Sequence, residues 1–355
     1  MRIHGLLEDP NAVVISAIPP SDPVQPADYV KAALRLLEAL QLELEGENVV
    51  IKPNVTAGES FADPDSGIGT HPAFVEGLIT YLRQHGVPNG RGHGHSIFIL
   101  EDPRNSDDNA PRHWRGTGYP EVAATTGAQL RTPSQFTCVR KSVPRPLVHP
   151  TLNVSRLVVA PGTVFINVPK MKTHNLGITT LCMKNLMGVV DVFERHYCAQ
   201  AWLELPEEVR IEPRPRPELL TPQTHERWQE GLARRLADLA QVAKPALNIV
   251  EGVIARDGTG FRRGTNYPLG LTIAGSNVVA VDSVASYLMG FDPKSLIYLR
   301  IAAEAGLGTN DLTQLRAYLV TDAGIVPCPD LERLRARPPL KVIRNVPGAF
   351  DILVP

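Results

Sequence analysis

The chain has 355 residues, 43% of them hydrophobic, which is enough for two packed cores. No apolar stretch approaches the length that crosses a bilayer, and Glu8 and Asp9 stand where a secretory signal needs its apolar core, so we expect a cytoplasmic protein with no membrane partner. The net charge of -1, from 36 basic and 37 acidic residues, argues against nucleic acid as a partner.

The apolar pattern alternates between strands and helices along most of the chain. Residues 12–15 form a β-branched run typical of a strand, and apolar residues between 30 and 40 recur at helical spacing. Further strands are predicted at 49–51, Ile97–Leu100, 157–160, 164–168, 247–250, 271–274 and 318–321, and further helices at Pro72–Gln84 and 279–289. This alternation predicts an α/β fold with mostly parallel sheets and helices on both faces, in Rossmann-like layers.

A segment rich in proline and charge, residues 204–223, interrupts this alternation. Such a composition buries little apolar surface, so we predict an exterior loop or linker and regard it as a candidate boundary. The domain division that we expect places the Lys-Pro-Asn and Thr-His-Pro loops in an N-terminal α/β region, residues 1–170. Residues 171–355, including the irregular segment, would form a C-terminal α/β region.

Polar residues are concentrated directly after the predicted strands, where open α/β sheets bind their ligands. They are Lys52 and Asn54, Glu101 and Asp102, residues 170–174, and Glu251 with Asp257. The densest group lies between residues 167 and 188 and contains Lys170, Lys172, Thr173, His174, Lys184 and Asn185. Three lysines and one histidine in such a short stretch predict an anion-binding site with one titratable base. Each residue alone could be solvated, but lysines are disfavoured after buried strands unless something pairs with them.

Three further features could support this site. Thr179 or Thr180 is a candidate cap for a helix that runs through Lys184. Asp282, inside an apolar helix, is predicted to hydrogen-bond nearby backbone or to pair with a lysine. The glycine-rich turn at 257–264 carries Arg262 and is either a second cradle for an anion or an ordinary turn with solvated arginines.

Metal binding is a separate hypothesis. The four cysteines contain no CxxC pair, which argues against a structural zinc site and a self-contained ferredoxin module. His71, after the glycines at 67 and 69, and His196 are candidate metal ligands. A site that His71, His174 and His196 form together is an alternative. The single HxH sequence, His93-Gly94-His95, is interpreted as a surface loop. No GxSxG sequence indicates a hydrolase triad.

The sequence resembles a widespread bacterial and archaeal family known as domain of unknown function 362. The resemblance is carried by VVIKPNV with the later THP, by FINVPKMKTHNLGITTLCMKNLMGVV with the later RH, by ALNIVEGVIARDGTGFRRGT, and by VVAVDSVASYLMG with the later AGLG. These segments run from Val49 to Gly308. Many relatives carry an attached ferredoxin-like iron–sulfur module, which implies redox chemistry, but this chain lacks that module.

A fainter resemblance is to the lactate racemase family, which binds a nickel-pincer nucleotide. His174, Lys184 and His196 follow one another in the order that this family shows. The resemblance implies that these residues contact a metal-containing cofactor, its metal or the substrate. Residues 181–183 replace the glycine pair that precedes the lysine in that family, which argues against nucleotide attachment.

Three hypotheses follow. The first is an enzyme that acts on a small anionic metabolite, a carboxylate or phosphate, by proton or hydride transfer. His174 would be the acid or base, Lys184 and Lys52 would neutralise charge, and a nickel or iron cofactor could bind His71 or His196. Substrate contacts would come from Asn54, Thr70, Lys170, Lys172, Thr173, Asn185 and Arg262. The second is a non-catalytic cofactor or iron–sulfur carrier that uses Cys182 and Cys198, and the third is a scaffold. A redox partner protein and a homo-oligomer stay open.

Overall fold

The computed structural model describes residues 4–44, 48–55, 63–85, 96–103, 111–134, 137–210, 221–343 and 350–351. The predicted surface loop at His93-Gly94-His95 and the middle of the segment 204–223 lie outside these residues.

The described chain alternates strands and helices. The strands are β1 Ala12–Ala17, β2 Asn48–Pro53, β3 Ile97–Leu100, β4 Gln129–Arg131, β5 Cys138–Ser142, β6 Thr151–Ser155, β7 Thr163–Val168, β8 Lys170–His174, β9 Ile178–Thr179, β10 Leu247–Arg256, β11 Asn266–Tyr267, β12 Leu271–Gly275, β13 Arg316–Thr321, β14 Gly324–Pro327, β15 Val342–Ile343 and β16 Phe350–Asp351. The helices are α1 Pro26–Leu40, α2 Pro72–Gln84, α3 Tyr119–Thr126, α4 Arg156–Val159, α5 Cys182–Asn185, α6 Tyr197–Trp202, α7 Pro222–Val242, α8 Val278–Met289 and α9 Ile297–Glu304.

One large sheet organises the fold, with the strand order β14-β13-β1-β12-β10-β7-β2-β3-β4. The pairs from β10 through β7, β2 and β3 to β4 are parallel, as is β1 with β13. The strand β12 runs antiparallel to both of its neighbours, and β8 pairs beside β10. The prediction of an α/β fold with a mostly parallel sheet is confirmed.

Helices cover both faces of this sheet because side chains alternate along each strand. In β1, Val13 and Ile15 face a core that includes α5 to α9, whereas Ala12 and Val14 face a core that includes α1 to α3. On the second face α1 and α2 approach closely at Gly77, where an added Cβ would lie 2.9 Å from Cβ of Ala33. The absence of a side chain at Gly77 therefore permits this helix contact.

Four local predictions were wrong or incomplete. Residues 157–160, predicted as a strand, belong mostly to the short helix α4, because a brief apolar run does not distinguish helix from strand. Residues 170–174, predicted as polar residues after a strand, form the buried strand β8. The strand predicted at 247–250 continues to Arg256, so Glu251 lies within it. The helix α7 begins inside the predicted loop, capped by Thr221 with proline at its first position.

Strands from both sides of residue 170 share the large sheet. In particular, β1 lies between β12 and β13, which both come from the second half of the chain. The division into two domains at residue 170 stays a prediction. In the part of the chain that the structure describes, no helix is both long and apolar enough to span a membrane.

Candidate functional site

A polar cavity of about 160 Å³ opens at the carboxyl ends of β2, β3 and β8. It is lined by Lys52, Asn54, Val55, Glu101, Asp102, Lys172, His174, Thr180, Lys184, Asn185, Met187, Gly188, Arg195, His196 and Phe261. Seven of the predicted site residues therefore meet here: Lys52, Asn54, Lys172, His174, Lys184, Asn185 and His196. The space is smaller than the roughly 300–1,000 Å³ typical of drug-sized ligands, which favours a small ligand.

The ammonium group of Lys52 makes three hydrogen bonds within the wall of the cavity. Its Nζ donates to Oε2 of Glu101 at 2.6 Å, to the carbonyl oxygen of Pro53 at 2.8 Å and to Oδ1 of Asn185 at 3.2 Å. Asn185 in turn donates to the carbonyl oxygen of Lys52 at 3.0 Å and to Oδ1 of Asn167 at 2.8 Å. Burial lowers the pKa of Lys52 and Glu101 opposes that shift. The charge of Lys52 is thus compensated within the wall of the cavity.

A second ion pair, between Arg195 and Asp102, lies beside the first. Arg195 is only 4% exposed, and its Nε and Nη1 have no hydrogen-bond partner among the described residues. Sequence reasoning did not include Arg195 in the site. The signal was weak because the residue lies in a loop before α6, far along the chain from Asp102.

Lys172 differs from the other buried lysines. Its Nζ donates to the carbonyl oxygen of Ile68 at 2.7 Å and lies 4.8 Å from the centroid of the Phe261 ring. No carboxylate of the described residues forms an ion pair with it, although its side chain is buried. Burial lowers the pKa of Lys172 well below its usual value, and the nearby charges of Lys184 and Lys170 add to this effect.

Lys184 stands on the short helix α5 and is half-buried at the cavity. Among the described residues its Nζ contacts Sδ of Met187 at 3.8 Å, and no carboxylate pairs with it. The predicted cap at Thr179 or Thr180 is wrong, because α5 starts after Leu181, whose side chain has no capping group. Asp282 takes this role: its carboxylate accepts the backbone N–H groups of Cys182 at 2.6 Å and Met183 at 3.0 Å. The prediction that Asp282 hydrogen-bonds backbone is confirmed.

His174 is held as a neutral imidazole. Its Nδ1 accepts the backbone N–H groups of Leu176 and Gly177, each at 3.0 Å. An acceptor nitrogen carries no proton, so the proton of the neutral ring lies on Nε2. Burial, together with the charges of Lys184 and Lys172, lowers the pKa of His174 well below 6.5. In this arrangement the ring is suited to donate a hydrogen bond through Nε2.

Five predicted site residues do not line this cavity. Lys170 forms an ion pair with Glu251 at 2.6 Å, and its Nζ lies 5.6 Å from the centroid of the Tyr29 ring. Thr70 donates to the carbonyl oxygen of Val168 at 2.8 Å, and Thr173 donates to that of Gly258 at 3.0 Å. The two threonines thus bind backbone carbonyl groups, and the charge of Lys170 is compensated by Glu251.

The other two are His71 and Arg262. The imidazole of His71 caps α2 by accepting the N–H of Ala73 at 3.1 Å, its Nε2 lies 3.3 Å from Oδ1 of Asp65, and its ring stacks on Tyr29 at 3.9 Å. Both ring nitrogens thus have protein contacts. Arg262 is exposed in the turn after β10. No group of three His, Cys, Asp or Glu side chains within the described ranges is placed to hold a metal ion.

The fold and cavity define an α/β protein with a small lysine-lined site at the ends of its parallel strands. Residues 49–287 match the family model described as "Domain of unknown function (DUF362)", and the chain belongs to this family.

Two individual proteins are also similar. The chain is 28% identical over 149 residues to the thylakoid-associated protein sll1697 of Synechocystis sp., a match that covers 41% of this chain and 38% of that protein. A crystal structure of a protein from Thermotoga maritima shares 10% identity with a TM-score of 0.38, covering 67% of this chain and 53% of the other. A structural similarity this low supports no argument about the present site.

Proposed function

We propose that the protein is an enzyme that acts on a small carboxylate or phosphate bound in the cavity, by proton transfer. One observation carries the proposal: Lys172 and Lys184 line the same small cavity, and neither forms an ion pair with a carboxylate of the described residues. The other two cations of the cavity wall, Lys52 and Arg195, are already paired. The positive charge of Lys184 therefore has no counter-charge among the described residues, and a bound anion would neutralise it.

The side chains have distinct roles in this proposal. Lys184 and the Nε2–H of His174 bind the anionic group of the substrate. Lys172 accepts or gives up the proton, because burial lowers the pKa of its amine well below the usual value and so favours the neutral form that can act as a base. The sequence predicted His174 as the acid or base. Because Nδ1 of His174 already accepts two backbone N–H groups, we assign the proton transfer to Lys172 instead. Hydride transfer, the other reaction predicted from the sequence, stays a prediction. The cytoplasmic location also stays a prediction.

A nickel or iron cofactor fits these residues poorly. His174 and His196 line the cavity, but Nδ1 of His174 accepts two N–H groups, and His71 lies elsewhere. The described residues offer no set of three metal-binding side chains. The carrier hypothesis also lacks support at Cys182, because burial raises the pKa of its thiol well above the usual value and disfavours the thiolate that binds iron.

Anion binding is the first test. Phosphate, lactate and pyruvate are titrated into the protein by calorimetry, and thermal unfolding is followed in parallel. A ligand at 100 times its Kd should stabilise the fold by about 2.7 kcal/mol. Lys184→Gln should weaken binding by about 1.5–3 kcal/mol, the usual contribution of a hydrogen bond to a charged group. Lys141→Gln, on an exposed part of β5, is the matched control and should bind as the unchanged protein does.

If phosphate, lactate and pyruvate all fail to bind, the proposed function is contradicted. Equal weakening by Lys184→Gln and Lys141→Gln would show that binding is a general surface effect and would also contradict it.

A further inference from the structure

The three buried lysines of this region, Lys52, Lys170 and Lys172, differ in whether a carboxylate pairs with them. Lys52 and Lys170 each have a carboxylate oxygen at 2.6 Å, and both side chains are 1% exposed. Lys172 is equally buried but has a backbone carbonyl and an aromatic ring in place of a carboxylate. A buried ammonium without a counter-charge is costly, so the neutral amine is favoured more strongly at Lys172 than at Lys52 or Lys170, where a glutamate opposes the effect of burial.

A neutral amine is a nucleophile, and the surroundings of Lys172 leave it able to react. The hydrogen bond to Ile68 uses one N–H and does not use the lone pair of the nitrogen. Lys184 lines the same cavity, and a neighbouring cation keeps an amine deprotonated, as is known for lysines that attack carbonyl groups. Lys172 and His174 are two residues apart in β8, so strand alternation turns both side chains to the same side.

We propose that Lys172 forms a Schiff base with a small carbonyl compound that carries an anionic group. This inference rests on the proposed function and specifies its substrate class. The neutral nitrogen of Lys172 attacks the carbonyl carbon, a carbon–nitrogen bond forms and the carbon–oxygen π bond breaks. One hydrogen passes as a proton from the nitrogen to the oxygen, which becomes a hydroxyl group. The nitrogen then gives up its remaining hydrogen, the hydroxyl leaves as water, and a carbon–nitrogen double bond results. Lys184 and the Nε2–H of His174 hold the anionic group.

Reductive trapping tests this inference directly. The chain of 355 residues is incubated at neutral pH with pyruvate or with dihydroxyacetone phosphate, and sodium borohydride reduces any Schiff base to a stable amine. Intact-mass measurement detects the adduct, and peptide mapping locates it. The two compounds distinguish a carboxylate from a phosphate as the anionic group. Lactate, which has a hydroxyl group in place of the ketone of pyruvate, should compete with pyruvate and give no adduct itself.

The expected result is one adduct per chain, located on Lys172, with at least one of the two compounds. Lys172→Met, which keeps a similar side-chain length, should lose the adduct, and Lys141→Gln should keep it. Peptide mapping of the unchanged protein gives the same answer if Lys172→Met does not fold.

An adduct spread over exposed lysines, or none with either compound, would overturn the Schiff base. If lactate or phosphate still binds with the expected dependence on Lys184, the proposed function stands and only this inference fails. If no small anion binds, both fail.

Discussion

At the scale of single residues, the decisive property of the site is which buried charges are paired. Lys52 and Glu101 compensate each other, and Oε2 of Glu101 also accepts the N–H of Val55 at 3.2 Å. Lys172 and Lys184 have no such carboxylate among the described residues. Lys52 and Lys172 are thus equally buried but differ in whether a carboxylate pairs with them, and the chemical role proposed for Lys172 depends on this difference.

The pairing of Lys52 can be tested by removing its counter-charge. Glu101→Gln keeps the shape of the side chain but leaves Lys52 buried without a carboxylate, so stability should fall by about 3–5 kcal/mol in urea unfolding. Adding Lys52→Met should restore most of this loss, because the uncompensated charge is then gone. Glu304→Gln, in an exposed pair with Arg300, is the control and should cost less than about 1 kcal/mol. A small effect of Glu101→Gln would argue against a buried ion pair.

Gly188 is a second residue whose identity the cavity requires. An added Cβ would lie 2.5 Å from Cε and 2.6 Å from Nζ of Lys52, and it would also press on Oε1 of Glu101. Gly188→Ala should therefore destabilise the fold by about 1–3 kcal/mol and weaken anion binding. Gly5→Ala, where nothing lies within 4 Å of the new Cβ, is the matched control. Thermal unfolding and calorimetry measure both effects, and unchanged values for Gly188→Ala would contradict this packing.

At the scale of elements, the short helix α5 depends on a carboxylate from α8. Asp282 accepts the first two N–H groups of α5 and so fixes the helix that presents Lys184. Burial raises the pKa of Asp282 from its usual 3.8 to about 7. A raised pKa in the folded state means that its contribution to stability is complete below about pH 4 and is lost as the pH rises through about 7.

Asp282→Asn should remove this pH dependence, because the amide does not ionise. The free energy of unfolding of the variant minus that of the unchanged protein should rise as the pH goes from 4 to 7, by up to about 1.4 kcal/mol per pH unit. Chemical unfolding at several pH values measures the difference. If the two proteins show parallel curves, Asp282 does not titrate in this range and its raised pKa is contradicted.

At the scale of the whole molecule, the order of strands ties the two halves of the chain together. The strand β1 has both neighbours, β12 and β13, in the second half, and β7 pairs with β10. Removal of residues 171–355 would expose both edges of β1 and one edge of β7. Unpaired strand edges are poorly tolerated in a buried sheet.

A fragment of residues 1–170 should therefore not fold by itself. Circular dichroism and thermal unfolding should show no cooperative transition for the fragment, whereas the full chain should unfold cooperatively under the same conditions. A fragment that unfolds cooperatively would instead support the division into two domains at residue 170.

Much of this architecture was readable from the sequence. Apolar runs that end abruptly in polar residues mark buried parallel strands, and the carboxyl ends of such strands lie at one edge of the sheet. This reasoning placed Lys52, Lys184 and His174 in one site, and the structure brings them to one cavity. The mostly parallel sheet was predicted from the alternation of strands and helices along the chain. These features depend on local sequence and on general rules of chain connection.

Only the tertiary structure decided the chemical state of the site. The sequence shows three similar lysines. In the structure Glu101 pairs with Lys52, 49 residues away, and Glu251 pairs with Lys170, 81 residues away. Lys172 has no carboxylate partner among the described residues. The tautomer of His174 depends on a turn that directs two amides at Nδ1. Pairing and burial are set by contacts between segments distant along the chain, and these contacts have no signature in the local pattern of residues.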